Sequence, residues 1–214
     1  PVDASAATAH GTLGAVEAVL EAELKDAKPG RALVHGCGAV GGTVARTLVE
    51  HGWTVFTVDL SRERAGFPGA TPLPQGCPWW ELKLDLLLPC SISGLINAEM
   101  ASALRVTSVV PAANAPFQSP QLADALRQRG IRVLPDPLVN AGAVIADSIE
   151  RFSPDAWKDA GAKDVYAFVR EEVRRRATDY LNQRDQGLSV GAALNEVAAA
   201  PATDPIGLSF GDAA

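Results

Sequence analysis

Cysteine, methionine and tyrosine are scarce in these 214 residues, which hold three, one and two of them. Cys37, Cys77 and Cys90 contain no CxxC pair and leave an odd thiol, so no disulfide framework is read from them. Sparse, free thiols suit a reducing compartment. The expected location is therefore inside a cell, in the cytoplasm or in an organelle such as a plastid or mitochondrion. His10, His35 and His51 stand at scattered spacings, so no zinc pattern emerges and no metal is expected. Long apolar runs are also missing. Pieces such as Leu86-Leu87-Leu88 fall far short of the ~20 residues of a membrane span, and no leading segment reads as a secretory signal. Nor is there a basic excess: 19 Lys and Arg against 25 Asp and Glu leave a net charge of −6. That balance excludes a general grip on nucleic acid and a polybasic membrane anchor. The chain opens at Pro1, and its only methionine is Met100. A preceding segment is expected on that ground, either a targeting peptide removed on import or a whole further domain.

What is present is a core-forming chain, 47% apolar. Leu13, Val16, Val19, Leu20 and Leu24 recur at helical spacing and predict a helix over 8–25, broken by Lys28-Pro29-Gly30. Short apolar strands are predicted at 32–35, 53–58, 84–88, 108–110 and 131–134, with helices at 43–51, 97–104 and 120–129. Residues 61–80 carry Pro68, Pro72, Pro74 and Pro78 and read as irregular, with no room for a full crossover helix. Adjacent Trp79 and Trp80 there mark either a contact surface or local packing. This alternation implies an α/β fold, a doubly wound parallel sheet with helices on both faces. Additional helices follow in 143–200. Their apolar stripe runs from Val165 to Leu181, and an Arg-rich face with interspersed acids is expected to be solvated. One dinucleotide-binding domain over 1–200 is expected, led by a helix within 1–30 and followed by an irregular tail at 201–214.

The chemistry concentrates in Gly36-Cys37-Gly38-Ala39-Val40-Gly41. The motif alone is weak, but a strand precedes it, a helix follows it, and Asp59 ends the next strand about 20 residues on. Gly36 permits the tight turn, Gly38 lets backbone approach a diphosphate, and Gly41 lets helix and strand pack closely. The helix N-terminus offers unpaired N–H groups to an anion. Asp59 can accept from ribose hydroxyls, which favours NAD over NADP, although Ser61, Arg62 and Arg64 behind it could recruit a 2′-phosphate. Cys90, after Pro89 at a strand end, has no histidine tied to it by a motif and reads as an inert thiol.

These residues stand in an order that resembles the nucleotide-binding half of the glutamate/leucine/phenylalanine/valine dehydrogenase family. Besides the glycine loop and Asp59, the resemblance rests on Asp3 to Gly11, on Asp85 to Cys90, on Ala112-Ala113-Asn114 and on Pro135 to Gly142. It implies a Rossmann-like fold, an NAD or NADP cofactor and amino-acid dehydrogenation. By the same resemblance Leu60 and Cys90 join the cofactor site, while Thr8, Asn114 and Asn140 line the nicotinamide pocket. There are departures: Ala39 replaces an asparagine, Ala143 a glycine, and Ala4 and Ala6 two prolines. The resemblance places the substrate lysine, the catalytic lysine and the catalytic aspartate in a preceding domain. Lys25, Lys28, Lys83, Lys158 and Lys163 match none of those contexts, so no catalytic residue is assigned. The expected function is a non-catalytic, dinucleotide-binding accessory or structural subunit with a protein partner. The alternative is the cofactor half of an amino-acid dehydrogenase whose catalytic domain lies on a missing segment or another chain.

Overall fold

The structure, a computed structural model, describes residues 2–23 and 29–200. The chain divides into two compact units, Asp26–Asn140 and a second made of Pro1–Lys25 with Ala141–Ala214.

The first unit is built on a six-stranded parallel sheet. Its strands are β1 (Arg31–His35), β2 (Thr54–Val58), β3 (Ala70–Pro72), β4 (Lys83–Pro89), β5 (Arg105–Val109) and β6 (Arg132–Val133), in the order β3-β2-β1-β4-β5-β6. This is the doubly wound, Rossmann-like arrangement that alternating strands and helices predict. Central strands are apolar throughout because both of their faces are covered: Leu33, Val34, Leu86, Leu87 and Leu88 are all buried. Each such leucine contributes about 2 kcal/mol on leaving water. Leu33, Leu87, Val109 and Val133 share one core with Trp79, Ile96, Leu104 and Leu126.

The strand β3 departs from expectation, because residues 61–80 read as irregular. It pairs with β2 from Val55↔Ala70 to Thr57↔Pro72. Three residues at a sheet edge, one of them a proline with no N–H to give, leave almost no periodic signal. A one-turn helix (Arg62–Ala65) replaces a full crossover, tied down where buried Thr57 Oγ1 donates to the Ala65 carbonyl at 2.8 Å. The tryptophans resolve towards packing rather than a contact surface. Trp79 is buried, and Trp80 packs against the same core with its ring edge-on to Trp79 at 5.5 Å.

The second unit is helical. It contains a leading helix, α1 (Ala4–Glu23), followed after the sheet unit by helices at Gly142–Phe152, Pro154–Asp159, Ala162–Asp185 and Val190–Ala199. The leading helix starts earlier than its apolar spacing suggests, because Asp3 caps it: Asp3 Oδ1 accepts from the Ala6 N–H at 2.7 Å. Its burial also exceeds one stripe. Ala9, Gly11, Thr12, Gly14, Ala15 and Ala18 are buried alongside Leu13, Val16 and Val19. The small residues allow backbone contact: a Cβ on Gly14 would lie 2.0 Å from the Arg170 carbonyl oxygen, and one on Gly142 would lie 2.2 Å from that of Ala7.

The Arg-rich face of Ala162–Asp185 is not the solvated surface its interspersed acids suggest. Those acids serve as ion-pair partners. Glu172 is buried between Arg175 (3.1 Å) and Arg176 (2.5 Å). Arg170 reaches across to Glu17, and Arg174 to Glu21 at 2.9 Å. Arg176 also donates to the Val197 carbonyl at 2.7 Å, which holds the last helix. Leu24, Lys25, Lys28 and the tail at 201–214 lie outside the described residues.

Two glycines give opposite predictions. Gly14→Ala should lower stability by about 2 kcal/mol or more, since backbone cannot yield as a side chain would. Gly191→Ala meets open space within its helix and should raise stability by about 0.5–1 kcal/mol. Urea melts of both variants read the difference.

Candidate dinucleotide site

β1 runs straight into the glycine turn. Register pairs His35 with Val58 on one side and with Pro89 on the other, so the tips of β2 and β4 flank it. The connections from the two halves of the sheet diverge there, opening a crevice at the carboxyl ends of the strands. The Gly36 N–H donates to the Val58 carbonyl at 2.7 Å, and the Cys90 N–H to the His35 carbonyl at 2.7 Å.

The fingerprint glycines have separable roles. Gly36 is left-handed (φ 93°), and a Cβ there would press into Ser91 at 2.7 Å. A Cβ on Gly41 would lie 1.9 Å from the Gly36 carbonyl oxygen and 2.9 Å from Cys90 Cβ. A Cβ on Gly38 would meet nothing within 4 Å. Gly38 is also the N-cap of helix α2 (Ala39–Glu50), and no side chain caps it. That helix starts four residues before its predicted beginning at Thr43, because its first turn holds Gly41 and Gly42, which sequence reasoning assigns to a loop. The first N–H groups of a helix have no acceptor within it and point out of its N-terminal end, and here that end begins at Gly38, where the Cβ position is open. An anionic diphosphate fits this donor set, and a side chain at Gly38 would fill the space.

Asp59 closes the turn. Its Oδ2 accepts from the Cys37 N–H at 2.7 Å and its Oδ1 from the Ser61 N–H at 2.8 Å. Burial opposes its charge, but the Ser61 and Cys37 amides, with Arg64 and His35 nearby, outweigh that and hold the carboxyl below its ordinary range. An ionised carboxylate has further lone pairs for hydroxyl donors. Leu60 beside it is 91% exposed, an apolar surface at the mouth of the crevice. Ala39 is exposed and Val40 half-buried on the first turn of α2.

Asn114 and Asn140 are brought together. Asn140 Nδ2 donates to Asn114 Oδ1 at 2.7 Å and to the Ala112 carbonyl at 3.3 Å. Between them Ala115 takes a left-handed φ of 43°. Its N–H donates to Asp136 Oδ2 at 2.9 Å, and its carbonyl accepts from Gly94 at 2.8 Å. Strain of this kind persists only where surrounding bonds over-determine it. Thr8 belongs to the helical unit, where its hydroxyl donates back to the Ala4 carbonyl at 2.9 Å. Sequence reasoning passed over His35 and Ser91, which bond at 2.8 Å beside Gly36. Each directly adjoins a motif, His35 the glycine turn and Ser91 the Pro89-Cys90 strand end.

Cys37 is buried and Cys90 half-buried. Burial pushes the Cys37 thiol up to about 11, with Asp59 adding to the effect, and the Cys90 thiol up to about 12. Both thiols should therefore stay protonated and react slowly with iodoacetamide at neutral pH. Mass spectrometry of timed alkylation checks this, and labelling as fast as free cysteine would contradict it.

Among the described residues no helix is long and apolar enough to cross a membrane. Phenylalanine dehydrogenase of Lysinibacillus sphaericus is 27% identical over 188 residues, which are 83% of this chain and 49% of that protein. The chain thus spans about half the length of this curated relative. L-tryptophan dehydrogenase of Nostoc punctiforme has the same fold at a TM-score of 0.79 and 22% identity, over 92% of this chain and 60% of that one. The hetero-hexameric glutamate dehydrogenase of Thermus thermophilus follows at 0.73 and 21%, over 91% and 51%. The family model matches residues 61–202, and the chain belongs to the Glutamate/Leucine/Phenylalanine/Valine dehydrogenase family.

Proposed function

We propose that these residues bind NAD as the cofactor-holding part of an amino-acid dehydrogenase. The observation that carries this reading is the mouth of the glycine turn, with open space before Gly38, unpaired amides at the start of α2, and an ionised Asp59 at its side. The amides hold the diphosphate. Asp59 accepts from the adenosine ribose and repels a 2′-phosphate, which sets NAD above NADP despite Arg62 and Arg64. Asn114 and Asn140, already paired, offer amide groups to a carboxamide at the tip of β5. Cys90, protonated at the tip of β4, presents a neutral surface to the cofactor. NAD supplies hydride acceptance when bound, and the chain's own residues bind and orient it.

A second reading, a dehydrogenase-derived subunit that does no chemistry itself, is favoured by where the lysines sit. Among the described residues Lys83 starts β4, at the end of the strand away from the glycine turn, and Lys158 and Lys163 lie on helices of the other unit. Hydride transfer with an amino acid would then depend on groups outside these residues. Stoichiometric capture of a partner without turnover of any amino acid supports the second reading, and NADH formation with a supplied catalytic domain supports the first.

Calorimetric titration with NAD and NADP tests the binding claim. NAD should bind more tightly than NADP. Gly38→Ala should fold normally, at a cost below about 1 kcal/mol, yet bind NAD at least about tenfold more weakly. Thermal stability unmoved by either dinucleotide would remove the proposal.

A further inference from the structure

Beside the glycine turn stands a pair that the binding scheme does not use. His35 is the last residue of β1 and Ser91 the second residue beyond β4, and His35 Nδ1 lies 2.8 Å from Ser91 Oγ. Ser91 is also the residue against which Gly36 is packed, within 2.8 Å of where a Cβ would stand. The ring of His35 is held edge-on by buried Trp79 at 5.2 Å. The imidazole is therefore held by an indole and a hydroxyl, beside the glycine turn that leads into α2.

We infer that His35 and Ser91 are a pH-dependent positioning pair for the diphosphate, in which protonation of His35 turns the Ser91 hydroxyl into a donor and strengthens anion binding. The inference rests on the dinucleotide reading above. A neutral imidazole can accept a hydrogen bond at Nδ1 from the Ser91 hydroxyl, which directs that O–H inward and leaves only oxygen lone pairs facing outward. An imidazolium carries a proton on Nδ1 and must donate to Ser91 Oγ. The serine proton is then released towards whatever sits at the turn, and a positive charge stands behind it. Both changes favour a diphosphate.

The surroundings keep the pair in its neutral state until the medium becomes acidic. Burial lowers the His35 pKa more than its own backbone carbonyl and neighbouring Asp59 together raise it. From β2 the facing charge is Asp59, itself balanced by Arg64. From the β4 side the neighbours are neutral, Ser91 and the protonated Cys90 thiol, and Trp79 has no titratable group. A bound diphosphate adds negative charge that favours the imidazolium, so binding should draw a proton onto His35. By linkage, each unit by which the ligand raises this pKa strengthens binding about tenfold in acid relative to alkaline solution.

Calorimetry of the whole chain with NAD, with ADP-ribose and with adenosine, across the histidine range of about pH 5 to 8, reads this directly, because the esterified diphosphate of the first two does not itself titrate there. NAD and ADP-ribose should bind more tightly as pH falls, taking up protons in buffers of differing ionisation enthalpy, whereas adenosine, lacking the diphosphate, should show no slope. His35→Gln should flatten the slope while binding at high pH persists. Ser91→Ala should keep part of the slope, from the charge alone, and bind more weakly at low pH. NAD and ADP-ribose binding that is pH-independent in the unaltered chain, or a slope that survives His35→Gln, overturns the pair and leaves the dinucleotide reading standing. Absence of NAD and ADP-ribose binding at every pH overturns both.

Discussion

Helix α2 leaves the sheet at a turn so tight that one added carbon at Gly41 would lie 1.9 Å from the Gly36 carbonyl oxygen. Much of the sheet unit's local arrangement follows from that approach. It starts α2 directly after the tip of β1, and the first amides of a helix have no partner within it. It presses Gly36 into a left-handed conformation against Ser91. It leaves Cys37 buried, with its N–H aimed at Asp59. The carboxylate then bridges two backbone segments, the glycine turn and the start of the β2–β3 connection. Asp59 is thus a structural clasp at the tip of β2.

The helical unit solves a different packing problem. Its leading helix carries alanines and glycines where large side chains would hold a neighbour away, so contact is made by backbone, at Gly14 against Arg170 and at Ala7 against Gly142. Such contacts leave little apolar area per residue, and ion pairs supplement them. Buried Glu172 is shared by two guanidinium groups. Arg176 also donates from Nη1 to the last helix, so the partner of one buried acid links two elements.

Much of the fold was legible from residue pattern. Five of the six strands announced themselves as short apolar runs, because strands covered on both faces admit little else. The apolar stripe from Val165 to Leu181 likewise marked a helix that is buried where expected. β3 was not legible, since three edge residues including Pro72 have no periodicity to show. The first turn of α2 was hidden by Gly41 and Gly42, whose weak helix propensity is overridden by the need for close approach. The Arg-rich face misled because charge pattern reports composition, and whether an acid faces water or a neighbouring arginine is a matter of three-dimensional placement.

The residues alone determined the kind of machine: a parallel α/β sheet, a glycine turn preceded by a strand, and an acid at the next strand tip, in an order shared with amino-acid dehydrogenases. These are local requirements of φ, Cβ space and strand burial, and they are written in consecutive residues. Only the tertiary structure decided which side chains meet across the strand tips. The bond between His35 and Ser91, 56 positions apart, the pairing of Asn114 with Asn140, and the burial of Glu172 all depend on register between distant segments. No run of neighbouring residues encodes that register, because it is set by how whole elements pack.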